Sequence, residues 1–285
     1  MNKKIFIIGD TGLLGQELIK NLKNKDLLII KNSSLKNSRP NFEKKKEALN
    51  VLNHIRPDFI INCGGATDVD LCEKKLSYAK KNFIIAKNIS GWMKKNNFTK
   101  LIHISTDQVY SGVGPHIEKN TKPVNNYAKS KLKAESYLSD VNACILRTNF
   151  FGFSITKKSF TDWIFQSIKL NKKIYLFKNI KFNPLSISKL CLVINHIIMT
   201  KFYKGTYNLG SKNSLSKADF AKIFIHYLKK DYINHETIAF SQNFVAKRSL
   251  DMTTNIKKFE KKFKYKLPYL LNEIKNELKK YKNFK

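Results

Sequence analysis

The stretch Ile5-Phe6-Ile7-Ile8-Gly9-Asp10-Thr11-Gly12-Leu13-Leu14-Gly15 decides the fold. Four apolar residues in a row read as a buried strand, and they run straight into glycines spaced G-x-x-G-x-x-G and then into a helical pattern. A strand, a glycine turn and a helix N-terminus in that order form a receptor for a dinucleotide pyrophosphate. Gly9 permits the tight turn, Gly12 lets the backbone approach the phosphates, and Gly15 lets the helix pack closely on the sheet. Thr11, Leu13 and Leu14 complete the candidate loop. The helix dipole adds attraction for the anion.

Moving outward, further strand-like runs at residues 27–30, 59–62, 101–105 and 143–147 alternate with helical patterns at 13–22, 44–54, 78–94 and 126–138. That alternation predicts an α/β fold with a Rossmann-type, doubly wound parallel sheet. After Arg147 the pattern loosens. Helices are expected near 160–170, 186–199 and 217–228, short strands near 174–177 and 206–209, and a last helix after Pro268. The division expected is a cofactor-binding domain over residues 1–153 and a smaller, interleaved substrate lobe over 154–285, with the part around 181–205 packing back on the first domain. The Lys-rich end, 275–285, reads as a solvated helix face and a frayed terminus.

Composition excludes several classes. The chain of 285 residues carries 42% hydrophobic and 12% aromatic residues, which supports a packed core and not a disordered chain. No apolar run is long enough for a membrane span, and the run 5–8 meets Gly9 and Asp10 too early for a signal-peptide core, so a cytoplasmic location is expected. Cys63, Cys72, Cys144 and Cys191 show no CxxC pair and no histidine at ligand spacing. They read as reduced thiols, and no metal centre is expected. The formal charge of +33 is nearly all lysine, spread along the chain, with arginine only at Arg39, Arg56, Arg147 and Arg248. A groove-reading protein concentrates arginine and aromatics in one element, so the excess reads as compositional bias and argues against a nucleic-acid partner.

The second strand is followed by Lys31-Asn32-Ser33-Ser34 and later Lys36, with no acid at the place where a ribose diol is usually read. This favours NADPH, with NADH as the alternative, and makes Asn32 and Ser33 candidate contacts. Asn62-Cys63-Gly64-Gly65-Ala66 ends the third strand with small residues at the sheet's carboxyl edge, where cofactor needs room. Cys63, Gly64 and Gly65 are therefore candidates as well.

Tyr127 and Lys131 lie four residues apart, so a helix places both side chains on one face. A lysine ammonium there is expected to lower the phenol's pKa and make Tyr127 a usable acid. Upstream, residues 101–105 end in Thr106-Asp107-Gln108-Val109-Tyr110, which sets hydroxyls at the same carboxyl edge. Ser105 alone reads as a satisfied strand-end hydroxyl and Arg147 as structural. Thr106, Tyr127 and Lys131 together give a hydroxyl that positions a carbonyl, a phenol that donates a proton and a cation that supports it.

On these residues the chain resembles the dTDP-4-dehydrorhamnose reductases within the extended short-chain dehydrogenases. The likeness runs through 9–15, 56–66, Thr67 to Asp70 with Glu73, Asn82, 105–112, 127–131, Arg147-Thr148, 182–186, 205–209 and 248–267. It implies a reductase of a 4-keto deoxysugar nucleotide, working in cell-surface polysaccharide synthesis, with Thr106, Tyr127 and Lys131 as the catalytic triad. It also implies Asn82 at the cofactor, Thr67, Asp107, Gln108 and Phe150 near the sugar, and Arg248 near the nucleotide diphosphate. A bidentate guanidinium suits that last role.

Two departures bear on the substrate: the resembled family usually has an aromatic where Gln108 stands and a tryptophan where Phe150 stands. Gln108 also separates the chain from related dehydratases, whose acid at this place works as a base, because an amide cannot. The alternatives are a sugar-nucleotide epimerase with tightly held NAD and a non-catalytic, NADP-binding regulatory subunit. The expected partner is a sugar nucleotide, with no membrane partner and a homodimer left open.

Overall fold

The structure, a computed structural model, describes residues 2–22, 26–35, 39–153, 159–228, 234–240 and 245–282. The first half contains strands β1 (Lys3–Ile8), β2 (Leu27–Lys31), β3 (Phe59–Asn62), β4 (Lys100–Thr106) and β5 (Ala143–Thr148). Between them run helices α1 (Leu13–Asn21), α2 (Lys45–Ile55), α3 (Val69–Lys74), α4 (Leu76–Met93) and α5 (Asn126–Tyr137). The second half comprises β6 (Phe150–Phe151), α6 (Phe160–Lys169), β7 (Ile174–Phe177), β8 (Lys181–Phe182), β9 (Leu185–Ser186) and α7 (Ile187–Met199). It continues with β10 (Gly205–Leu209), β11 (Leu215–Ser216), α8 (Lys217–Tyr227), β12 (His235–Ile238), α9 (Lys257–Phe263) and α10 (Leu270–Lys282).

The main sheet is wholly parallel, in the order β2-β1-β3-β4-β5-β10. The chain builds outward from β1 to β2, then crosses back to β3, so the order reverses between β1 and β3. Loops at such a reversal diverge and open a crevice at the carboxyl ends of the strands. Period-two alternation supplies both faces. Ile5, Ile7, Ile61, Ile102 and Leu146 pack under α1, α7 and α9, while Phe6, Ile8, Ile60, Leu101 and Ile145 pack under α2, α4 and α5. A third core around Phe151, Phe182, Phe220 and Phe224 lies in the second half. No helix among the described residues is long and apolar enough to cross a membrane.

Two segments differ from the reading of the sequence. Residues 205–209, grouped there with the smaller lobe, pair with β5 from Gly205↔Cys144 to Leu209↔Thr148 and so complete the main sheet. Local periodicity reports a strand but not its neighbour. The Lys-rich end, described as far as Lys282, is a docked helix: Leu270, Ile274, Leu278 and Tyr281 are buried, as are Glu273 and Glu277. Glu273 accepts Ser186 Oγ at 2.5 Å, and Lys280 bridges Glu17 at 2.8 Å. The lysine count masked an apolar stripe at three- and four-residue spacing.

Candidate active site

The glycine loop is built for close approach. Gly9 has φ +81°, and a Cβ there would lie 2.6 Å from Gly64 N; a Cβ on Gly15 would lie 2.3 Å from Gly9 O. Neither position admits a side chain. Gly12 is the N-cap of α1 and no side chain caps the helix, so its first-turn amides face the crevice as an anion receptor. Leu14 is buried and Leu13 half-buried against the core beneath.

Across the crevice, Cys63 N donates to Ile8 O at 2.9 Å, which ties the loop after β3 to the end of β1. Asn62 Oδ1 accepts from Gly64 N (3.1 Å) and its Nδ2 donates to His103 Nδ1 (3.1 Å). Asn82 works from behind the loop: Oδ1 accepts from Ala66 N at 2.9 Å, and Nδ2 donates to Ala66 O and to Ser130 Oγ. Asn82 thereby joins the cofactor loop to the helix that carries Tyr127. Burial, with Lys131 opposing it, pushes the Cys63 thiol up to about 12, so it stays protonated.

At the end of β2, Asn32 is buried and donates to Pro40 O at 3.1 Å. Ser33 donates its N–H to Asp10 Oδ2 at 3.0 Å and its hydroxyl to the same oxygen. An acid thus stands where the sequence seemed to supply none; it arrives from the glycine loop and not from β2. Arg39 donates to Thr11 Oγ1 at 2.8 Å beside it. Lys36 lies outside the described residues.

Thr106 ends β4, and Tyr127 and Lys131 lie in the first half of α5, whose N-cap Asn125 accepts Ala128 N at 2.8 Å. All three are buried, and the Thr106 hydroxyl lies close enough to the Tyr127 phenol to hold its pKa down. Lys131 Nζ donates to Ile104 O at 2.6 Å. The expectation that Lys131 lowers the phenol's pKa needs correcting: burial pushes Tyr127 up to about 12, and the opposing influence is the Thr106 hydroxyl. Burial also brings Lys131 down to about 8, with Glu135 resisting. Asp107 accepts Asn149 Nδ2 at 3.0 Å, and burial raises its carboxyl to about 6.

Next to Gln108 opens a cavity of about 360 Å³ between the two halves of the chain. Its walls are aromatic, with Phe160, Trp163, Tyr175 and Phe177, and two cations, Lys217 and Arg248, reach into it. Lys217 Nζ stands 5.5 Å from the Phe160 ring centroid and feels both Asp107 and Arg248. Arg248 Nη2 donates to Asp70 Oδ2 at 2.8 Å, and Asp70 Oδ1 accepts Ala246 N at 3.0 Å. Two turns of short helix do three jobs here. Asp68 caps α3 at Leu71 N, Asp70 holds the Arg248 segment, and Glu73 accepts Asn126 N at the start of α5. The arrangement suits an anionic ligand with a flat apolar part and a carbonyl presented to Thr106 and Tyr127.

The RmlD substrate binding domain family matches residues 3–283. The chain belongs to that family. It is a family of reductase-like sugar-nucleotide enzymes within the extended short-chain dehydrogenases. The chain is 24% identical over 235 residues to the probable low-salt glycan biosynthesis reductase Agl14 of Haloferax volcanii, covering 76% of this chain and 77% of the relative. It is 26% identical over 237 residues to the dTDP-4-dehydrorhamnose reductase of Escherichia coli K12, covering 79% and 78%. Among solved structures, dTDP-4-dehydrorhamnose reductase from Bacillus anthracis in complex with NADP superposes with a TM-score of 0.88 at 24% identity, over 98% of this chain and 100% of that one. At that identity the superposition establishes the fold.

Within this family fold the predicted residues separate. Gly9, Gly12, Gly15, Cys63, Gly64, Thr106, Tyr127 and Lys131 converge on the crevice, and Gln108 and Arg248 line the cavity. Phe150 does not line it: β6 pairs with β9, and alternation sends Phe151 into the third core and Phe150 against the first. Thr67 is exposed ahead of α3, outside the cavity lining. Lys217, Asp70, Asp10 and Arg39 were not singled out. Lys217 is one of many lysines, whereas Arg39 is one of four arginines, a signal the sequence did carry.

Proposed function

We propose that the protein reduces the 4-keto group of a deoxysugar nucleotide, with NADPH or NADH as donor, in the synthesis of a polysaccharide sugar. The observation that carries this reading is the meeting of Thr106, Tyr127 and Lys131 at the sheet's carboxyl edge, beside a cavity walled by aromatics and two cations. The glycine loop admits no Cβ at Gly9 or Gly15, which fits a dinucleotide lying against the backbone.

Reduced nicotinamide, when bound, supplies the hydride. Thr106 holds and polarises the substrate carbonyl through its hydroxyl. Tyr127, with its pKa pushed up to about 12, keeps its proton at neutral pH and gives it to the more basic alkoxide that forms at C4. Lys131 supplies positive charge from the same face of α5, which favours the phenolate left as the proton departs, and solvent then returns a proton to it. Arg248 and Lys217 neutralise the diphosphate, with the guanidinium able to engage two oxygens at once. Gln108 supplies no base, so elimination of water from the sugar is not assisted at that position.

The test is to incubate purified protein with NADPH or NADH and a panel of 4-keto sugar nucleotides while following the absorbance of reduced nicotinamide. Oxidation with at least one member, giving a 4-hydroxy sugar nucleotide, is the expected result. Cofactor binding without oxidation on any member would overturn catalysis in favour of a regulatory subunit.

A further inference from the structure

We propose a second activity for the same site: Asp107 reversibly removes a hydrogen from a carbon next to the 4-keto group, so that this hydrogen exchanges with solvent. The proposal rests on the reading of the site as one for a 4-keto sugar nucleotide.

Asp107 follows Thr106 directly, at the start of the short 3-10 turn after β4, and is 3% exposed. Asn149 Nδ2 donates to its Oδ2 at 3.0 Å, and Thr106 Oγ1 reaches its Oδ1 over a long 3.4 Å. Both partners are neutral. Burying a carboxylate among neutral groups is costly, and an amide could accept the Asn149 bond at a much smaller desolvation cost. The charge therefore serves more than packing.

Its place in the fold gives it a task. Tyr127 feels Asp107 from α5 and Lys217 feels it from α8, while Lys217 and Gln108, the next residue, line the cavity. The carboxylate thus stands between the triad and the cavity. A carbonyl held by Thr106 carries its neighbouring carbons past Oδ1, the oxygen engaged only by the long Thr106 contact, while Asn149 fixes Oδ2.

The groups nearby divide by proton affinity. Tyr127 and Cys63, each pushed up to about 12, keep their protons at neutral pH. Burial raises Asp107 only to about 6, so it is ionised there and suited to work as a base. Oδ1 takes the proton. The C–H electron pair becomes the second bond of a carbon–carbon double bond, and the carbonyl pair moves onto oxygen, where the Thr106 and Tyr127 hydroxyls and the charge of Lys131 stabilise it. Loss of a hydroxyl from the next carbon would need an acid, and the Gln108 amide is not one. The enolate therefore takes a proton back from Asp107 on the same face, after that proton has exchanged with water. No cofactor is consumed.

The experiment incubates the protein in D2O with each 4-keto sugar nucleotide of the panel and with NADP+ or NAD+, so that no hydride is available. Proton NMR and mass spectrometry follow entry of deuterium. At least one member should exchange about 10²-fold or more faster than without protein, the low end of what a positioned base supplies, and with configuration retained. Asp107→Asn should fall to the rate without protein, and Tyr127→Phe should lose more of its reduction than of its exchange. The titratable groups that face Asp107 are Tyr127 and Lys217, so the parent's pH profile keeps the test decisive even where Asp107→Asn does not fold. Exchange should rise as pH passes about 6 and then level, whereas a phenolate base near 12 would keep it rising. Such a continued rise, full exchange in Asp107→Asn or entry of deuterium with inversion would overturn the proposal. A parent that reduces a member of the panel without exchanging it would overturn the proposal and leave the reductase reading standing. Exchange without reduction would do the reverse, and neither reaction on any member would overturn both.

Discussion

Arg147 on β5 grips Glu135 on α5 with both ends of its guanidinium: Nε lies 3.0 and 3.1 Å from the two carboxylate oxygens and Nη2 lies 2.6 Å from Oε2. Each side chain is 6% exposed. The same Glu135 accepts Ser105 Oγ at 2.5 Å, while Arg147 Nη1 donates to Tyr110 Oη and Glu118 O. Glu135 follows Lys131 by one helical turn, so this pair fixes the face of α5 that carries Tyr127 and Lys131 against β4 and β5. Removing the acid leaves a buried guanidinium without its counter-charge. Glu135→Ala should cost about 3–5 kcal/mol in urea unfolding, while Glu135→Leu with Arg147→Met should recover much of the loss. A loss below about 1 kcal/mol for the single variant, the level of an exposed pair, would show that the pair does not hold the helix.

How much of this was legible in the sequence depends on the range of the interaction. The turn at Gly9 and the helix carrying Tyr127 and Lys131 are local, and their spacing alone predicted both the strand, turn and helix at the glycines and the shared helical face. The parallel sheet also followed, because alternating strands and helices leave few other topologies. The sixth strand did not, since the pairing of Gly205 with Cys144 joins residues far apart in the chain, across β6 to β9 and α7. Asp10 was visible only as the variable residue of a glycine motif; its meeting with Ser33 needs β1 and β2 side by side. Lys217 was hidden by composition and Asp70 by the shortness of α3. The direction of the Tyr127 shift was misjudged because spacing reports a neighbouring charge but not desolvation.

Tyr127→Phe removes the hydroxyl proposed as proton donor and leaves the ring that fills the site. kcat should fall by about 10²- to 10⁴-fold, the range ascribed to a positioned acid, with cofactor affinity little changed. Single-turnover reduction of the best sugar nucleotide in the panel checks this. A variant as fast as the parent would remove Tyr127 from the mechanism.

The pH profile follows from Lys131, held at about 8 against an ordinary value of 10.5. The ammonium is lost above that point while Tyr127, near 12, remains protonated. kcat/KM should therefore decline above about pH 8, approaching tenfold per pH unit, since it reports groups in the free enzyme. The sign for stability is opposite. Between 8 and 10.5 the unfolded chain binds the proton and the folded chain does not, so this group makes the fold more stable as pH rises through that window. Lys131→Met should lose the alkaline limb of the rate profile and start from a lower rate. A parent profile flat to about pH 10 would contradict the role assigned to its charge.

Arg248 and Asp70 give the last prediction. Their 2.8 Å contact holds the guanidinium at the cavity wall, and Asp70 also accepts Ala246 N, so the acid orders the whole segment. If Arg248 binds the substrate diphosphate, Arg248→Ala removes binding shared by ground and transition states. KM for the sugar nucleotide should rise by about 10- to 100-fold, the worth of a charged hydrogen bond, with kcat nearly unchanged. Arg248→Lys keeps the charge but not the fork, and should recover only part of the loss. Asp70→Asn leaves Arg248 charged but loosens its tether, so its KM should rise less than that of Arg248→Ala. Titration of UDP or dTDP by calorimetry separates this from a purely structural role: the arginine variants should weaken the free nucleotide in proportion to their KM. An Arg248→Ala protein that binds nucleoside diphosphates as well as the parent would place the diphosphate elsewhere in the cavity, with Lys217 as the cation left to hold it.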